Sequence, residues 1–210
     1  TLEENSAQRC GEAYLQLTKN RIEAIEDFKN RRNLGNEWLA GVIASQKWDS
    51  PELVAYAETA IRNSNHWTRI HGIEILGNIG EAASNSVADI KELFEENVRK
   101  YDRKVSDLAT ACAVAIFKIE ADTTYVDRLL QHIKDLEARD ESSSTFYDYQ
   151  FQNVLQEIIV PGSKYTDLVV ARLNSHDPLR VAEIDNRNSL VDRWIRLALR
   201  TEEPQARECV

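Results

Sequence analysis

Residues 69–82 read Arg-Ile-His-Gly-Ile-Glu-Ile-Leu-Gly-Asn-Ile-Gly-Glu-Ala. Within them Gly72, Ile75, Leu76 and Ile79 recur at three-and-four spacing, which places them on one face of a helix. The same set returns as Cys112, Ala115, Ile116 and Ile119, then as Phe151, Val154, Leu155 and Ile158. A fourth copy follows as Val191, Trp194, Ile195 and Ala198. Each shift is close to forty residues. A fixed period of this size, with helical spacing inside every unit, is the mark of helical hairpins stacked into a solenoid.

The helices between these copies keep the same period. Ile90 and Leu93 return as Leu130 and Ile133, then as Val170 and Leu173. The first hairpin is expected to start at Asp49-Ser50-Pro51-Glu52, with Ser50 accepting the first free amides and Pro51 where no donor is needed. Its helix carries Leu53, Val54, Ala57, Ala60 and Ile61, and the turn Asn63-Ser64-Asn65 leads to the partner helix from His66 to Gly80. Three further pairs are expected over about 87–121, 125–160 and 163–198. The stretches 137–145 and 179–188 read as polar loops, and such long connections are often functional or mobile.

Residues 1–48 form a divergent N-terminal helical cap in this reading. One long helix over 6–30 ends at a C-cap on Gly35, and a second follows with Trp38, Leu39, Val42 and Ile43 on one face. Terminal units of a stack are atypical because one face meets water. Residues 49–200 hold four repeats, and 201–210 a flexible tail. The whole is one continuous all-α domain.

The 69–82 segment resembles the second helix of a HEAT repeat. That pattern has an Arg near the start, small residues mid-helix and a Leu-Gly-x-Ile-Gly ending. Here the matching positions are Arg69, Gly72, Leu76, Gly77, Ile79 and Gly80. Small mid-helix residues allow close helix approach, and a closing Gly permits a left-handed cap. In the second copy Ala109 replaces the Arg and Phe117 the Gly, and the later copies keep only the apolar pattern. The resemblance covers about residues 50–200. It implies a right-handed α-α superhelix whose second helices line a concave, partner-binding surface.

Composition narrows the function. The net charge is −9 and no third of the chain is basic. A surface that tracks phosphates needs a basic face, so nucleic acid is disfavoured. Lys29, Arg31 and Arg32 cluster, as do Arg99, Lys100, Arg103 and Lys104, but both groups sit where a helix ends and its dipole favours cations. No apolar stretch has the roughly 18 residues of a membrane span. The chain has no Met, so a processed chain or fragment is expected. Its three Cys form no CxxC pair. Cys112 reads as a small buried hydrophobe. Cys10 and Cys209 lie near opposite ends of an elongated stack and are not expected to pair. Reduced thiols fit a cytoplasmic protein, with a processed secreted or periplasmic chain as the alternative.

Catalytic signatures are absent. His66, His71, His132 and His176 have neither HExxH spacing nor a Cys at metal-ligand spacing. Gly77-Asn78-Ile79-Gly80 closes a helix and is no phosphate loop. We therefore expect no enzyme, no cofactor and no metal. The expected function is protein–protein binding as a scaffold or adaptor. Its residues would come from the second-helix face opposite the core stripe and from the aromatic run at 146–149. These are Glu74, Asn78, Lys118, Tyr147, Tyr149, Asn153, Glu157 and Arg193, with Ile70, Thr110, Val114 and Leu197 as further members of the face. Trp48, Trp67 and Trp194 are expected to pack between helix layers. Two alternatives remain: a HEAT-like nucleic-acid or DNA-repair module, and an enzyme of the HEAT-like chromophore-lyase type.

Overall fold

The computed structural model describes residues 50–101, 105–139, 144–159, 163–175 and 190–200. Among them every regular element is a helix and none is a strand. The helices are α1 (Pro51–Ile61), α2 (His66–Ile79), α3 (Val87–Asn97), α4 (Asp107–Glu120), α5 (Thr124–Glu137), α6 (Ser144–Ile158), α7 (Thr166–Ser175) and α8 (Leu190–Arg200). A 3-10 segment, Gly80–Ser86, joins α2 to α3. The expected N-terminal cap, the 179–188 loop, the tail, Cys10 and Cys209 lie outside the described residues.

The chain divides into two compact units. The first is Thr1–Lys100 with Ser106–Tyr125, and the second is Tyr101–Val105 with Val126–Val210.

In the first unit α2 is the central helix. Ile70, Gly72, Ile73, Ile75, Leu76, Gly77 and Ile79 are all buried, which covers most of its circumference. A helix that is apolar almost all round must be packed on more than one side. Gly72 shows how α1 comes close: a Cβ there would lie 2.9 Å from both Ala57 O and Ala60 Cβ. On the other side a Cβ at Gly77 would lie 2.9 Å from Ala115 Cα of α4. Only hydrogen fits at either position.

Local signals set the helix ends. Asn65 Oδ1 accepts from Trp67 N at 2.9 Å and Thr68 N at 3.2 Å, so Asn65 caps α2. Ser50 behaves differently from expectation. Its hydroxyl donates to Glu52 Oε2 at 2.6 Å instead of accepting amides. Pro51 does take the first helical position. Gly80 ends α2 at φ 76 and ψ −140, which is not the left-handed cap expected but another positive-φ conformation essentially reserved for Gly. Ala121 ends α4 at φ 57 in the left-handed region and donates its N–H to Phe117 O at 2.8 Å.

Polar links join the start of α3 back to α1. Arg62 donates to Asp89 at 2.6 Å and Ser86 to Glu58 at 2.8 Å. Lys91 donates to Glu120 at 2.8 Å, and this hydrogen bond holds the Lys91 ammonium above its ordinary pKa. Phe94 meets the Tyr125 ring edge-on at 5.1 Å.

In the second unit α5 has one sharply apolar face, with Val126, Leu129, Leu130, Ile133 and Leu136 buried. Asp127 accepts from Lys164 at 2.6 Å and from the Tyr165 hydroxyl at 2.9 Å. Ten residues further along α5, Glu137 accepts from Arg172 at 2.6 Å. The early residues of α5 thus meet the start of α7, and the late ones meet its end, so the two helices run the same way. The Arg172 guanidinium also stacks 4.1 Å over the Phe151 ring of α6. Arg200 of α8 donates to Gln156 O of α6 at 2.6 Å.

Of the second-helix core positions of the forty-residue pattern whose side chains are described, all are buried except Ile195, which is half-buried. Leu76, Ile116 and Leu155 are each 0% exposed, and Cys112, Phe151, Val154 and Ala198 are as deeply enclosed.

Candidate partner-binding face

The face opposite the core stripe of α2 begins at Trp67. Residues 67, 71, 74 and 78 follow one another at three-and-four spacing along the helix, so they share a side. Trp67 is 61% exposed, and His71 and Glu74 are exposed beside it. His71 Nδ1 lies 3.2 Å from Glu74 Oε2. The expectation that Trp67 packs between helix layers does not hold. Trp67 lies in the first turn of α2, on the side shared with the exposed His71 and Glu74. Its helical register with Glu74 and Asn78 was visible in the sequence and is the signal that finds it.

Asn78 is half-buried at the end of this stripe. Lys118 of α4 crosses to it, with Nζ donating to Asn78 Oδ1 at 3.1 Å. The structure therefore brings Asn78 and Lys118 together. The apolar members expected on the face are not displayed. Ile70 is 6% exposed and Val114 8%. The cause is the central placement of α2, which leaves only a narrow outward stripe between α1 and α4.

In the second unit Tyr149, Asn153 and Glu157 recur every four residues on α6 and are all exposed. Tyr147 is different. It is 1% exposed and among the largest fully buried side chains. The 146–149 run is therefore not one displayed aromatic patch: Tyr147 belongs to the core and Tyr149 to the surface. The two lie two residues apart, which on a helix turns them to different sides. Leu197 of α8 is 3% exposed. Arg193 lies on α8, and its side chain is outside the described residues.

The interior offers little chemistry. Burial pushes the Cys112 thiol up to about 12, with the Arg69 cation a smaller opposing influence. Such a thiol is a poor nucleophile at neutral pH. Arg69 Nε and Ser106 Oγ are buried without a hydrogen-bond partner. Among the described residues no group of three or more His, Cys, Asp and Glu is placed to hold a metal ion. Among them, too, no helix is long and apolar enough to cross a membrane.

Compared with protein-family models, with characterised proteins and with solved structures, the chain matches none.

Proposed function

We propose that the chain is a HEAT-like helical scaffold that binds a protein partner through the exposed face of its second helices, without covalent chemistry or a cofactor of its own. In this reading the hairpins stack as a right-handed superhelix and Glu74, Asn78 and Lys118 belong to its concave side. The observation that carries it is the exposure of Trp67 on the same helical stripe as Glu74 and Asn78. A large aromatic left in water beside polar groups is what partner-binding surfaces use as an anchor. Covering a Trp by a partner removes a large apolar area from water, so Trp67 is suited to act as such an anchor. The hydrogen bond between Asn78 and Lys118 supports the repeat, because it joins residues that the forty-residue period makes equivalent.

The test is affinity capture from the native cell, with wild type beside Trp67→Ala and the double charge reversal Glu74→Lys, Lys118→Glu. The reading expects a protein that co-elutes with wild type and is lost with both variants. Capture of nucleic acid in its place, or a protein retained equally by all three, would reject it.

A further inference from the structure

A second site stands apart from that face, in the second unit. The helices α5 and α7 are tied at both ends, by Asp127 with Lys164 and Tyr165 at one and by Glu137 with Arg172 at the other. Between these ties lies a cleft of about 550 Å³. That volume is within the ordinary range for small-molecule sites. Its floor is apolar, from the buried Leu130 and the half-buried Leu168, and its rim carries Gln131, Lys134, Asp167 and the exposed Ala171. The small Ala171 side chain leaves the space open.

The two free charges give the cleft its chemistry. Lys134 and Asp167 are exposed, of opposite sign, and on facing helices. No ion pair joins them, nor does either join another described residue, whereas Asp127 and Lys164 in the same cleft are matched to each other. Gln131 gives its amide N–H to Asp135 at 2.9 Å, which leaves its carbonyl oxygen as an acceptor. A cation, an anion and one acceptor around an apolar floor complement a molecule with the opposite arrangement.

We propose that this cleft binds a small apolar zwitterion, a free amino acid or a dipeptide. Its carboxylate is held by Lys134, its ammonium by Asp167 and Gln131, and its aliphatic side chain rests on Leu130 and Leu168. The site is independent of the protein-binding reading. Because both charges are solvated, binding falls in the millimolar range, and each charge contributes modestly.

The experiment is a titration of the full ¹⁵N-labelled chain with leucine, leucyl-leucine and N-acetyl-leucine amide, followed through backbone amide shifts. Leucine or leucyl-leucine is expected to move the amides of 130–134 and 167–171, and the stronger of the two identifies which length the cleft takes. The doubly blocked compound is expected to bind far more weakly. Lys134→Gln and Asp167→Asn should each weaken binding roughly threefold, the range of an exposed charge pair. Ala171→Phe, which fills the cleft from an exposed position, should abolish it. The proposal is overturned if no localised shifts appear, if the blocked compound binds as tightly as the zwitterions, or if Ala171→Phe binds unchanged.

Discussion

Lys118 Nζ reaches across from α4 to Asn78 Oδ1 on α2 at 3.1 Å, and the two residues are forty positions apart. Positions equivalent by the sequence period are thus lateral neighbours on packed helices. The Lys118 stem runs past Gly77, where a Cβ would be 3.7 Å from its Cδ. That distance is ordinary van der Waals contact; the glycine is required by Ala115, whose Cα would lie 2.9 Å from the added carbon, and it thereby lets α4 come close enough for Lys118 to reach Asn78.

This bond joins a half-buried cation to a neutral amide, so a double-mutant cycle should resolve it. Asn78→Ala and Lys118→Met are each expected to destabilise by about 0.5–1.5 kcal/mol. The double variant should cost less than the sum, by about 0.5–1 kcal/mol. Urea denaturation of the four proteins measures it. Strict additivity would mean that the two side chains do not meet in solution.

Gly72→Ala and Gly77→Ala set two effects against each other. Alanine gains about 1 kcal/mol of helix propensity over glycine. The added methyl would stand 2.9 Å from the Ala57 carbonyl oxygen at one site and from Ala115 Cα at the other. Backbone atoms cannot swing aside, and overpacking of this kind costs about 1–3 kcal/mol. Packing is therefore expected to win at both positions, by about 1 kcal/mol net or more. Thermal melts that show either variant as stable as wild type would contradict the close helix approach.

The sequence made the helices legible because their signals are local. Leu129, Ile133 and Leu136 repeat at helical spacing and are buried as that spacing requires. Pro51 and Gly80 sit where their backbone restrictions place them. What misled was anything that depends on a neighbour. Trp67 reads as core by hydrophobicity alone, yet its phase on α2 turns it to water. Tyr147 reads as surface by its aromatic company, yet it is enclosed. Ile70 and Val114 fall on the nominally open face, but α2 has neighbours on two sides and little open face remains. The α5–α7 cleft was not legible, because it needs Lys134 and Asp167 to line one space from two helices that are separated in the chain.

Ser106 occupies the N-cap of α4 but makes no capping bond, and its buried hydroxyl has no partner. Removing an ordinary N-cap serine costs about 1 kcal/mol. Removing an unsatisfied buried hydroxyl has the opposite sign, because its desolvation penalty disappears. Ser106→Ala is therefore expected to be neutral or stabilising by up to about 1 kcal/mol. A loss of 1 kcal/mol or more in chemical denaturation would show that the hydroxyl caps α4 in solution after all.

Cys112 is 0% exposed, and burial raises its pKa from the ordinary 9.0 to about 12. With Cys10 and Cys209 changed to Ser, the remaining thiol should be inert to iodoacetamide at pH 8 in the folded protein and fully reactive in denaturant. The shift also fixes a pH dependence. The unfolded thiol loses its proton near pH 9 while the folded one keeps it to about 12. The unfolded state then binds fewer protons, so stability falls as pH rises through this window, with a limiting slope of about 1.4 kcal/mol per pH unit. Below pH 9 both states hold the proton and the slope vanishes. Cys112→Ala lacks the group, so the stability difference between wild type and this variant should be flat up to pH 9 and move against wild type above it. A difference that stays constant to pH 11 would place Cys112 in contact with water.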